Sequence, residues 1–159
     1  MNGLRAVVTA GLAVVAIGSV AARQPSDTIT AARATVTIKG HLLDGAFTYD
    51  RVGDLTLWGP GGGVIDIASD RGDAFQYSPM AKPGAYKTTP SMPLIVQVGV
   101  GPAVKIVASS GGECTVTLTR ADDSGVAGAF ECGRVGVMGP EKKMLGPVDS
   151  MTGSFSATR

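Results

Sequence analysis

Histidine and tryptophan occur once each in this 159-residue chain, and cysteine twice. Charged residues make up only 17 % and aromatic residues 5 %. A structural zinc site takes about four nitrogen or sulfur ligands, more than His41, Cys114 and Cys132 supply. Nucleophilic catalysis of the Ser-His-Asp kind needs a histidine held by a carboxylate, and no Gly-x-Ser-x-Gly turn accompanies His41. The basic residues (Arg51, Lys82, Lys105, Arg120, Lys142, Lys143) are scattered and form no stripe able to neutralise a row of phosphates, which argues against nucleic-acid binding. The cysteines are too far apart for a Cys-x-x-Cys redox pair. No cofactor or metal is expected.

One long uncharged run exists. After the basic start Met1–Arg5 comes "AVVTAGLAVVAIGSVAA", Ala6 to Ala22. It is marginal for a span, which needs roughly 20 residues, and its small-residue end suits a signal peptidase. Residues 1–22 are therefore expected to be a signal-peptide helix, with an uncleaved anchor as the alternative. Its removal leaves as many basic as acidic residues. A polar, flexible leading segment follows over 23–33, and a single domain over 34–159. The expected location is secreted, periplasmic or at the cell envelope, with no stable membrane span after cleavage.

Glycine is abundant, at 23 residues. From Ala34 to the C-terminus apolar and polar residues alternate in short runs separated by Gly, Pro and Asp. That pattern predicts strands and an all-β fold: a single antiparallel β-sandwich, or else a small β-barrel. Residues 78–93 hold four prolines and read as a long connection, as does the lysine-bearing stretch 139–149.

Two hairpins follow from register. Asp44-Gly45 is a strong two-residue turn signal. It sets Leu42 opposite Phe47, Gly40 opposite Tyr49, Lys39 opposite Asp50 and His41 opposite Thr48 on a solvent face. The second hairpin turns through Ala121–Gly125. It pairs Arg120 with Val126, Leu118 with Gly128, Val116 with Phe130, and Cys114 with Cys132. One of its faces is then apolar throughout save Arg120. Cysteines that meet in a register set by other residues, in an exported chain, are expected to form a structural disulfide. A short echo, "VAGAFEC" (126–132) and "MTGSFSA" (151–157), puts Gly and Phe on one strand face twice.

Asp66, Asp70 and Asp73 cluster around one turn, as carboxylates for hydrolysis or calcium would, but their spacing fits no EF-hand loop. Arg71-Gly72-Asp73 spells an integrin-binding triplet that ordinary turn chemistry also explains. "GPGGG" lacks the Gly-Lys-Ser/Thr of a phosphate loop. Trp58, Tyr77 and Tyr86 are the aromatics that could meet a partner from loops, and burial under a loop is the alternative for Trp58.

The tail carries Cys-Thr-Val-Thr-Leu-Thr from Cys114, then Gly-Val-Ala-Gly-Ala-Phe-Glu-Cys to Cys132, then Gly-Ser-Phe-Ser-Ala-Thr-Arg. It resembles uncharacterised bacterial secreted or lipoprotein-like all-β proteins over the last third of the chain. The resemblance implies an extracytoplasmic β domain without an active site. The absence of a lipid-attachment cysteine departs from the lipoprotein members. The expected function is that of a non-catalytic exported module binding a protein, glycan or envelope component through its loops. A barrel carrier of a small hydrophobic ligand and a metal- or carboxylate-dependent hydrolase are the alternatives.

Overall fold

The computed structural model describes residues 28–159 except 100 and 110. The signal-peptide helix and the start of the leading segment lie outside the described residues.

Among the described residues fourteen strands follow one another: β1 (Ala31–Lys39), β2 (Gly45–Tyr49), β3 (Arg51–Val52), β4 (Leu57–Gly59), β5 (Gly62–Ala68), β6 (Ala74–Tyr77), β7 (Gly84–Lys87), β8 (Leu94–Val98), β9 (Lys105–Ser109), β10 (Cys114–Asp122), β11 (Gly125–Cys132), β12 (Val135–Met138), β13 (Met144–Val148) and β14 (Ser150–Thr158). They form two antiparallel sheets. One runs β2-β1-β14-β11-β10-β7. The other runs β13-β12-β9-β8-β6-β5-β3, with β4 attached to β5. Each order has two ends, so neither sheet closes, and the barrel alternative is corrected. No helix among the described residues is long and apolar enough to cross a membrane.

Alternation decides which side of each strand is buried. β1 alternates exposed and buried along all nine residues, with Ala32, Ala34, Val36 and Ile38 inward. Phe75 and Tyr77 from the eight-stranded sheet meet rings of the six-stranded one. Phe75 lies 5.7 Å from Phe130 and 5.4 Å from Phe155, and Tyr77 meets Phe155 edge-on at 5.6 Å. These aromatic contacts join the two sheets into one core.

The sequence echo has a structural cause. β11 and β14 are antiparallel neighbours, with Gly128 opposite Phe155 and Phe130 opposite Gly153. Each phenylalanine covers the glycine of the other strand. A Cβ on Gly153 would press to 2.9 Å from Phe130 Cε1, and one on Gly128 to 3.2 Å from Phe155 Cζ. Aromatic cover of strand glycines supplies packing that glycine lacks.

The second hairpin keeps the expected register from Cys114↔Cys132 to Leu118↔Gly128. A bulge at Thr119 then pairs Arg120 with Ala127, where Val126 was expected, and tightens the turn to Asp122↔Gly125. The extra residue puts Ala121, opposite Val126, into the core.

The first hairpin is corrected outright. Tyr49 lies opposite Ala34, six residues from the expected Gly40, and Phe47 lies opposite Val36. The chain leaves the sheet at Gly40, whose added Cβ would stand 2.9 Å from Val148 Cα, while Asp149 N donates to Lys39 O at 2.8 Å. Lys39 pairs with Asp44 at 3.3 Å, and Lys105 Nζ donates to Leu42 O at 2.6 Å. These contacts outweigh the local Asp-Gly signal. The shift is an even number of residues, so Tyr49 still points inward. β1 also begins at Ala31, ahead of the expected Ala34. β7 and β13 arise inside the stretches read as connections, both as sheet-end strands, where proline is tolerated.

Candidate functional site

Cys114 and Cys132 are disulfide-bonded, with Cα atoms 3.9 Å apart. Gly133 N donates to Glu113 O at 3.1 Å. That makes the adjoining Cys114/Cys132 position the narrow, non-hydrogen-bonded kind in which facing side chains are closest. Both cysteines are buried. The pair is a staple and has no free thiol. Beside it Glu113 is held below its ordinary carboxylate range by its own backbone N–H, by the Ser109 hydroxyl at 2.8 Å, and by Gly111 N.

Trp58 sits in the core at 7 % exposure. Its Nε1 donates to Asp122 O at 2.8 Å, and its own carbonyl accepts from Arg159 at 2.9 Å. The ring thus ties the β4–β5 hairpin to the β10–β11 turn. Tyr77 is 1 % exposed, and its hydroxyl has no hydrogen-bond partner among the described residues. Burial, then neighbouring Tyr86, pushes that hydroxyl up to about 12. Tyr86 alone of the three keeps partial exposure, on end strand β7, with its hydroxyl on Lys82 O at 2.9 Å. Buried rings cannot stack on a ligand at the surface, so Trp58 and Tyr77 are not available for such contact. His41 is exposed in the 40–44 loop and lies outside any strand.

The aspartates are brought to one concavity. An open groove of about 720 Å³ lies between the 51–55 segment and the 69–73 turn, with Ala68, Ala74, Gln76 and Gln97 on its floor. Its buried carboxylates are already occupied. Asp66 accepts from Gln76 Nε2 at 3.1 Å and Leu55 N at 3.3 Å, and Asp73 from Gly99 N at 2.6 Å. They fix the loops to the sheet. Asp70 is exposed and 3.8 Å from Arg51, a surface pair of small energetic weight. The Arg-Gly-Asp triplet is a turn whose aspartate faces inward. Among the described residues no group of three His, Cys, Asp or Glu side chains could hold a metal ion.

The outer faces of the sheets differ. Across the six-stranded sheet one row reads Thr48, Thr35, Ser154, Ala129, Thr117, Ala85, and the next Ala46, Thr37, Thr152, Glu131, Thr115, Lys87. Across the eight-stranded sheet the rows read Asp66, Gln76, Ile95, Ala108, Gly136, Pro147 and Arg51, Ala68, Ala74, Gln97, Ile106, Met138, Met144. The charges in that second pair of rows are the buried Asp66 and, at the sheet end, the exposed Arg51. The exposed large apolar side chains Val52, Leu55, Leu57, Met144 and Leu145 all belong to strands or turns of the eight-stranded sheet. Met80 is exposed in the loop that passes Gly62 of the same sheet. Sequence reasoning missed this surface. Its signal was present in "LIVQV" and "KIVAS", where apolar residues occupy both strand parities and so leave no fully polar side.

Comparison with protein-family models, with curated proteins and with solved structures found no match for this chain.

Proposed function

We propose that the chain is an exported, non-catalytic β-sandwich module that holds a cell-envelope component against the outer face of its eight-stranded sheet. The observation that carries this reading is that, among the described residues, the exposed large apolar side chains on strands and their turns belong to that sheet. An antiparallel sheet facing water is ordinarily polar on that side, and exposed apolar side chains there favour an interaction surface. Export is supported by the apolar, small-residue stretch Ala6–Ala22 and by the disulfide, which persists in oxidising compartments. Lack of catalysis is supported by the groove carboxylates, which are engaged by Gln76, Leu55 and Gly99.

Fractionation of cells expressing the full chain tests the reading. The protein is expected in the envelope or medium fraction, beginning near Arg23, with no reactive thiol before reduction. Ile106→Lys is expected to release it from the envelope while leaving its thermal unfolding nearly unchanged. Recovery from the cytoplasm with two reactive thiols, or no effect of Ile106→Lys on partition, would overturn it.

A further inference from the structure

The corner between β12 and β13 combines features found together nowhere else among the described residues. Pro140 to Lys143 form a tight turn closed by Lys143 N on Pro140 O at 3.3 Å. Its two central residues are left-handed, Glu141 at φ 59° and Lys142 at φ 59°. Such a turn ordinarily selects Asn-Gly. Here both positions carry long charged side chains at a conformational cost, and costly backbone retained at a surface points to function.

The two residues that follow are apolar and exposed, Met144 at 61 % and Leu145 at 41 %. Glycines give them room. A Cβ on Gly136 would be 3.3 Å from Met144 Cε, and one on Gly139 would be 3.0 Å from Leu145 Cδ1. Glu141, two exposed lysines and two exposed apolar side chains therefore share one short run with a net positive charge at the free edge of the sheet, beside Ile106 and Met138 of the neighbouring strands.

We infer that this corner docks onto an anionic lipid surface, with Met144 and Leu145 entering the acyl boundary and Lys142 and Lys143 meeting headgroup phosphates. The inference rests on the envelope-binding reading above and names its partner. Two apolar side chains are too little for a stable protein interface, which needs about 800 Å² from each side. They suit a shallow membrane insertion assisted by basic residues.

The test is flotation of the protein, as the expressing cell delivers it, with vesicles of phosphatidylcholine alone or with about one-third phosphatidylglycerol. Every variant shares the same N-terminal stretch, so differences report on the corner. The unaltered protein is expected to float with the anionic vesicles and to detach as salt rises. Met144→Ser with Leu145→Ser should weaken binding about tenfold. Lys142→Gln with Lys143→Gln should weaken it at least about tenfold. Thr37→Ser with Thr152→Ser, on the outer face of the six-stranded sheet, should change nothing. Thermal unfolding of each variant identifies any loss of fold, and the salt titration reads the lysine contribution without substitution. Equal binding to both vesicle types, equal binding by all variants, or capture only by an acidic protein would overturn the inference. Protein that ignores vesicles yet still fractionates with the envelope overturns it and leaves the envelope module standing. Loss of both overturns both.

Discussion

Thr35, Thr37, Thr115, Thr117, Thr152 and Ser154 occupy the outer face of the six-stranded sheet, whereas Ile95, Ile106, Ala108, Met138 and Gln97 occupy that of the other. The inner faces do not differ in this way. Both are apolar, and Phe75 from one sheet packs on Phe130 and Phe155 from the other. A shared core requires only that each strand have one apolar side. The second side is then free to be set by what surrounds the protein, and the two sheets have set it differently. Hydroxyls suit water. They also bond one another, as Thr35 and Ser154 do at 3.1 Å. Isoleucine and methionine on a second face make no such bonds.

The largest expected effect separates the inner from the outer face. Phe130→Ala should lower unfolding free energy by about 3–5 kcal/mol, because it uncovers Gly153 and removes the contact with Phe75. Ile106→Thr, on the outer face, should cost less than about 1 kcal/mol. Denaturant unfolding of the two variants checks this. An equal loss would mean that the outer face is internal in the protein as isolated, and the contrast between sheets would fail.

Replacing both cysteines, Cys114→Ala with Cys132→Ala, should cost about 2–3 kcal/mol in the six-stranded sheet, at the low end because the β10–β11 pairing already joins the two positions. Thermal unfolding with and without reductant measures it. Reductant should shift the unaltered protein and leave the variant alone.

A change of opposite sign is expected in the other sheet. Glu141→Asn with Lys142→Gly relieves two left-handed non-glycine residues and should raise stability by about 1 kcal/mol. If the same variant also binds anionic vesicles less well, stability and function oppose each other at this turn.

The smallest effect is a pH dependence at Glu113. Its folded-state pKa lies below the ordinary 4.5, so its contribution to stability is present above that value. It is lost as pH falls through the lowered folded-state value. Glu113→Gln should flatten the acid limb of a stability–pH curve slightly, the carboxylate being largely solvated. A curve identical to that of the unaltered protein would show that the hydrogen bonds to Ser109 and Gly111 do not persist in solution.

How much was legible in the sequence depended on how local the deciding contacts were. The β10–β11 register was readable because its two faces differ residue by residue and the cysteines had to meet. Its bulge at Thr119 was not, since it serves to bury Ala121, a residue too small to announce itself. Asp44-Gly45 failed because Gly40 meets Val148 and Lys105 meets Leu42, contacts between residues far apart in the chain. Trp58 beside "GPGGG" looked like a loop aromatic, and its partner Asp122 O lies 64 positions away. The Gly-x-Phe echo could be seen, but not that its two copies would lie side by side and cover each other. Asp70 and Asp73 lie at the expected turn but Asp66 sits within β5, and only the hydrogen bonds of Asp66 and Asp73 reveal that they serve the loops.

The pairing of β1 with β14 has a consequence for the order of events. Ala31 lies opposite Thr158 and Lys39 opposite Ser150, and Thr30 N donates to Thr158 O at 2.8 Å. One side of β1 is paired locally by β2, and the other waits for β14. β14 also separates β1 from β11, so the six-stranded sheet has no continuous centre until the final nine-residue strand arrives. Closing so long a loop is slow relative to local hairpin formation. The six-stranded sheet therefore cannot be completed before β14 has been made.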